Sequence, residues 1–261
     1  MSDSSVLVDT RDGAVWVTLN RPAALNAITP DVVAGITKAL ALADDPVIKA
    51  VVLIGTGRAF CAGADLKYVN STTESDEAGT AQFLDSILDM MARIETCPRP
   101  VIAAVNGLAL AGGLELVLCC DLVIAARSAK LGDAHANFGL LPGGGGSVRL
   151  PRKIGPTRAK YLMFTGDFLP AEDLVACGLV NEVVDDAELT SAVERLVDKL
   201  ASKSSLVLRR MKALVDDGLE QPKDVALKSE LLVSEVHVHS HDLKEGLAAF
   251  GEKRKPSFIG R

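Results

Sequence analysis

Two glycine-punctuated segments about fifty residues apart hold the residues best suited to chemistry: Phe60-Cys61-Ala62-Gly63-Ala64-Asp65-Leu66 and Ala109-Leu110-Ala111-Gly112-Gly113-Leu114-Glu115-Leu116. Each follows a β-branched apolar run, Ala50 to Gly55 and Val101 to Val105, so each marks the place where a buried strand ends and a helix can begin. Such ends leave backbone N–H groups free. Two of them brought together would stabilise negative charge on an oxygen, and Glu115, in the first turn of the second helix, could move a proton. The dipole of that helix accounts for a surface carboxylate there, but the neighbours Leu114, Leu116, Val117 and Leu118 are apolar, and an inward carboxylate needs a further reason. Arg58 and Lys67 flank the first segment. A phosphate-rich ligand would explain this pair, and so would two independently solvated charges.

The elements that must position these residues follow from periodicity and punctuation. A hairpin is predicted over Val6–Asp9 and Ala14–Leu19, turned by Arg11-Asp12-Gly13. A helix follows, capped by Thr29 with Pro30 at its first position, and runs to about Ala43. The polar stretch Asn70 to Thr80 reads as a mobile loop, whereas Phe83, Ile87, Leu88 and Met91 have helical spacing over Ala81 to Glu95. A helix over Leu114–Cys119, a strand over Leu122–Ala126 and a loop over Leu131–Gly146 come next. Beyond them the chain is predicted to be helical, with one extended piece at Leu179–Val184 and a terminal region too amphipathic to stand alone. Strands alternating with helices indicate stacked βαβ-like units.

Composition narrows the class. With 261 residues, of which 48% are hydrophobic, the chain can bury one sizeable α/β core. Its 28 basic and 34 acidic residues leave a net charge of −6, which disfavours nucleic acid and a polybasic membrane anchor as partners. The five cysteines are odd in number and form no Cys-x-x-Cys, as expected of reduced thiols. Met1 to Ser5 do not begin a leader, and no run of about 18 apolar residues occurs, so a soluble cytoplasmic protein is expected. His237, His239 and His241 invite a metal, with Glu235 as a further ligand, but Asp242 to Glu245 resembles a capping box that starts a new helix, and no metal is predicted. The run Leu141 to Ser147 lacks a Gly-Lys-Ser/Thr ending, which argues for a flexible wall leading to a helix beyond Ser147 instead of a nucleotide loop.

Taken in order, Asn20-Arg21-Pro22 with Leu25-Asn26-Ala27, Phe60 to Leu66, Asn106-Gly107 with Gly112 to Glu115, Cys120-Asp121, Leu141-Pro142-Gly143, Ala176 to Val180 and Glu245 to Phe250 resemble the crotonase (enoyl-CoA hydratase/isomerase) superfamily over nearly the whole chain. The resemblance implies a crotonase-like spiral of ββα units over residues 1–200 and a C-terminal helical oligomerisation region over 201–261, assembling as a homotrimer or a dimer of trimers. It implies an acyl-coenzyme A thioester as substrate, with coenzyme A as part of that substrate and no separate cofactor. The oxyanion hole carries over to the N–H groups of Ala64 and Gly112. The coenzyme is implied to lie along Ala23, Ala24, Leu25 and Ala62 and to meet Arg58 and Lys67 with its phosphates, while Phe250 and Lys253 come from a neighbouring subunit.

Hydratases of this family use two glutamates about twenty residues apart. The first matches Glu115, and the second falls at His135, a register fixed by Gly139 and Pro142-Gly143 downstream. Imidazole can donate a proton near neutrality, with Asp133 placed to orient or replace it. The leading expectation is therefore hydration of a 2-enoyl-CoA through an enolate, with Glu115 as base on water and His135 at the α-carbon. Decarboxylation, hydrolysis or isomerisation of another acyl-CoA, and acyl-CoA binding without catalysis, are the alternatives. The missing second carboxylate weighs against isomerisation.

Overall fold

A computed structural model describes the backbone over residues 4–75 and 77–261, and the side chains of 4–71 and 79–261. Met1 to Asp3, part of the segment read for a leader, lie outside it. The strands are β1 Val6–Arg11, β2 Ala14–Leu19, β3 Ala50–Gly55, β4 Ala59–Cys61, β5 Val101–Val105, β6 Leu108–Leu110, β7 Leu122–Ala126, β8 Lys130–Gly132, β9 Leu169–Pro170 and β10 Glu182–Val184. The helices are α1 Pro30–Leu40, α2 Leu66–Ser75, α3 Glu77–Glu95, α4 Gly112–Leu118, α5 Gly146–Ile154, α6 Pro156–Thr165, α7 Leu189–Ala201, α8 Ser205–Leu219, α9 Lys223–His237 and α10 His241–Glu252.

Two sheets result, one ordered β1-β2-β3-β5-β7-β10 and the other β4-β6-β8-β9. Three times the chain runs along the first sheet (β3, β5, β7), steps to the second (β4, β6, β8) and returns through helix, which is the ββα spiral implied by the resemblance. All of these successive strands pair in parallel. Parallel strands covered on both faces read as continuous apolar runs, and Val101–Val105 is buried at every position. The turns of the spiral therefore stack, and both glycine segments fall at the same edge, just beyond β4 and β6.

Several expectations need correction. The polar stretch Asn70 to Thr80 is helical wherever it is described, as the end of α2 and the start of α3; only Asp76 within it lies outside the described residues. Asp65 begins α2 by accepting from the backbone N–H groups of Lys67 and Tyr68, and an edge-on contact between Tyr68 and Phe83 joins the two helices. Thr29 occupies the capping position of α1, but its hydroxyl is buried without a partner among the described residues. The segment Leu131–Gly146 is not one loop: β8 runs into it and a 3-10 turn covers His135–Phe138. Extended structure near Leu179 is confined to β10, and β9 adds a second short strand to the last third. The cap of α10 is Ser240, whose hydroxyl accepts from Leu243 N–H, and not Asp242. Asp242 is buried and holds the C-terminus, accepting from Ser204 Oγ and from the N–H groups of Ile259 and Gly260.

Two side-chain amides, one buried and one half-buried, fix the approach to the first glycine segment. Asn26 is fully buried; its Oδ1 accepts from Arg21 N–H at 2.8 Å, and its Nδ2 donates to the carbonyls of Thr56 and Ala59 at 2.9 and 2.7 Å. Asn106 ties Gly55 to Gly57 in the same way. Asn26→Ala strands one donor and one acceptor and weakens a second acceptor, so urea unfolding should show a loss of about 2–4 kcal/mol. Asn26→Asp should lose more, since a carboxylate would face two carbonyl oxygens.

Candidate active site

The first glycine segment reaches its place through a single parallel bridge between Ile28 and Ala64. That bridge uses the Gly63 carbonyl, which accepts from Ile28 N–H at 2.8 Å, and the Asp65 N–H, which donates to Ile28 at 2.9 Å. Ala64 N–H lies between them and points the other way, with no acceptor among the described residues. Gly112 opens α4, where the first N–H groups have no intrahelical partner. The two segments are in contact, since a Cβ built on Gly112 would stand 3.2 Å from Gly63 Cα and 3.4 Å from Ala64 N. Close approach also explains Gly113: a Cβ there would fall 1.9 Å from the Cys61 carbonyl oxygen, so no larger residue fits. Ala111, which caps α4, is held at φ +49°, ψ −120°, a region that L-residues seldom occupy.

Every residue of α4 is buried, Glu115 included. Glu115 Oε1 accepts from Gly144 N–H at 2.9 Å and from Gly146 N–H, at the start of α5, at 2.7 Å. The run Leu141–Ser147 is thus more than a flexible wall, and α5 begins at Gly146 instead of beyond Ser147. Burial pushes the Glu115 carboxyl above the ordinary glutamate range, and the N–H pair and the nearby charge of His135 only partly oppose it.

His135 and Asp133 complete the cluster. Both are buried, and His135 Nδ1 lies 3.1 Å from Asp133 Oδ1, so the carboxylate, which can only accept, orients the ring by accepting a hydrogen bond from Nδ1–H. Burial alone would lower the imidazole pKa; the Asp133 hydrogen bond and charge, with Glu115 behind them, raise it above the ordinary histidine value. Asp133 Oδ2 is buried without a donor among the described residues. It faces the same backbone as Glu115, since a Cβ on Gly146 would lie 3.1 Å from Glu115 Oε1 and 3.4 Å from Asp133 Oδ2. The arrangement offers a proton acceptor and a proton donor of opposed character at one edge of the spiral, beside two free N–H groups.

The chain matches the model of the enoyl-CoA hydratase/isomerase family over residues 9–261. It belongs to that family, within the crotonase superfamily. A crotonyl-CoA hydratase of Syntrophomonas wolfei is 36% identical, with both chains covered in full. Among solved structures, an enoyl-CoA hydratase of Bacillus anthracis superposes with a TM-score of 0.93 at 36% identity over 98% of this chain and 100% of its own. One from Polaromonas sp. JS666 reaches 0.94 at 31% identity, covering 97% and 99%.

For a family member the remaining site residues fall into two groups. Ala23 and Ala24 form a 3-10 turn with Pro22, and Leu25, left-handed at φ +51°, accepts from Ala62 N–H at 3.0 Å, so these four residues form one strip beside Ala64. Arg58 and Lys67 are exposed and carry no ion pair among the described residues. Phe250, 86% exposed, and Lys253 stand at the end of α10, which has no extensive contact with β3, β4 or α2. Residues that spacing did not single out include Arg21, whose guanidinium binds the Ala27 carbonyl and Asp65, and the pair of Arg149 with Glu95. Their partners lie 44 and 54 positions away, beyond the reach of any local pattern. His237 Nδ1 pairs with Arg210, and among the described residues no group of three His, Cys, Asp or Glu could hold a metal. No described helix is long and apolar enough to cross a membrane.

Proposed function

We propose that this chain adds water across the double bond of a trans-2-enoyl-CoA thioester. The observation that carries this reading is the buried Glu115 carboxylate, held by two N–H groups one helical turn from the free N–H of Gly112, which lies beside that of Ala64. Glu115 takes a proton from water as the oxygen bonds to the β-carbon. The electron pair of the double bond moves to the thioester oxygen, where Ala64 and Gly112 N–H stabilise the enolate; one such donor is worth about 3–4 kcal/mol of barrier. His135, oriented by Asp133, then delivers its Nε2 proton to the α-carbon, and the proton on Glu115 restores the imidazolium. The buried acceptor Asp133 Oδ2 suits a donor that arrives with the reactants.

The strip Ala23, Ala24, Leu25 and Ala62 takes the pantetheine and adenine, Arg58 and Lys67 take the phosphates, and no separate cofactor is needed. No residue of α9 is buried, and Met211, Val215, Leu219, Leu231, Leu232 and Val236 expose apolar surface. These faces suit a homotrimer, or a dimer of trimers, in which a neighbour's Phe250 and Lys253 close the coenzyme site. Five free thiols suit a cytoplasmic setting.

Loss of enoyl-thioester absorbance with crotonyl-CoA tests the reading, and a protein that binds crotonyl-CoA without forming 3-hydroxybutyryl-CoA would overturn it. Arg58→Ala with Lys67→Ala should raise KM for crotonyl-CoA about tenfold to a hundredfold while leaving KM for crotonyl-pantetheine unchanged. An equal rise for both substrates would remove these cations from the phosphate site.

A further inference from the structure

Arg149 reaches none of the atoms assigned to reaction, yet it is built into the loop that serves them. Its Nη1 donates to the Gly144 carbonyl at 2.7 Å, while Nε and Nη2 grip the Glu95 carboxylate at 2.6 and 2.5 Å. Glu95 is the last residue of α3, so the glycine run is tied to the end of a 19-residue helix. The loop is shaped around the guanidinium: Gly145 sits at φ +94°, and a Cβ on it would fall 2.0 Å from Nη1. Four consecutive glycines, 143–146, have the greatest backbone freedom any sequence offers. Something must hold the backbone on both sides of Gly144 if its N–H is to stay on Glu115.

We propose that the Glu95–Arg149 pair is a strut that positions the catalytic base, holding the Gly144 carbonyl and with it the surrounding run, so that the N–H groups of Gly144 and Gly146 on either side remain aimed at Glu115 Oε1. This inference rests on the reading of Glu115 as the base. The ionisable or charged groups facing Glu115 among the described residues are Cys119 on α4, Asp133 and His135 beyond β8 and Arg149 on α5, and Glu95 on α3 stands behind Arg149. Charge alone and strut action make opposite forecasts for Glu95. Removing its negative charge would ease ionisation of Glu115, whereas loosening the strut withdraws two donors and hinders it.

The test compares kcat/KM against pH for crotonyl-CoA in the wild type, Arg149→Met, Arg149→Lys and Glu95→Gln, together with deuterium exchange over residues 142–149. Arg149→Met is expected to lower kcat about 30- to 100-fold and to move the acid limb up by about one pH unit, while the dissociation constant of the saturated butyryl-CoA changes less than about twofold. Glu95→Gln should move the limb in the same direction by a few tenths of a unit, and Arg149→Lys should restore part of the loss. Exchange over 142–149 should quicken at least about tenfold in Arg149→Met and Glu95→Gln with the rest of the chain unchanged. Unchanged exchange in that segment, or an acid limb that moves down in Glu95→Gln, overturns the strut. An acid limb that survives Glu115→Gln overturns the reading of Glu115 instead and leaves the exchange result to decide the strut. If Arg149→Met does not fold, Glu95→Gln and Arg149→Lys carry the same test.

Discussion

Glu115→Gln should slow hydration of crotonyl-CoA by about 10³-fold, within the range that a positioned general base supplies. The amide oxygen can still accept from Gly144 and Gly146, so the loop keeps its geometry and only proton uptake is lost. Stability should not fall with activity. Burial raises the carboxyl pKa, which means the folded state disfavours the ionised form; that penalty grows as pH rises past the unfolded-state value and disappears in the amide. Thermal unfolding at neutral pH should therefore give a Tm equal to or above that of the wild type. The wild-type acid limb should lie above the ordinary glutamate range, because the base must be ionised to accept a proton. Turnover within about fivefold of wild type would remove Glu115 from the mechanism.

His135→Ala is expected to cost about 10²- to 10³-fold in kcat with a small change in KM, since the imidazole acts on the α-carbon after the substrate is held. The wild-type basic limb should report loss of the His135 proton. Asp133 raises that pKa, so Asp133→Asn should move the basic limb to lower pH, and His135→Ala should remove it. A profile whose basic limb is the same in all three proteins would assign the α-proton to another group. His135→Glu provides a second comparison: where imidazole is the working acid, the glutamate variant retains activity with its basic limb displaced.

Much of this site was legible in the order of residues because it depends on local features. The two glycine segments follow apolar strands, and a strand end followed by small residues leaves free N–H groups wherever it occurs. Glu115 was conspicuous as a charge on an apolar helix, and alternating strands and helices indicated stacked βαβ-like units, while the ββα spiral itself was what the family resemblance implied. What was not legible is what distant segments do to one another. The polar run after Asn70 lacks an apolar stripe, yet Asp65 starts α2, which enters it, and the Tyr68–Phe83 contact joins α2 to α3. The grip of Glu95 on Arg149 and the three bonds of Asn26 join backbone that is remote in sequence. Ser240 displaced Asp242 as a cap because the Asp242 carboxylate is engaged by the chain terminus, a partner no local pattern reveals.

The complete burial of α4 has a thermal consequence. Segments that open first on heating are those with little buried apolar contact and exposed backbone bonds, and α4 has neither property, with seven residues enclosed and Gly113 set against the Cys61 carbonyl. The donor at Gly112 and the carboxylate at Glu115 ride on this one rigid piece. They can separate only when the core itself comes apart, so the chemical step should persist up to the cooperative unfolding of the spiral.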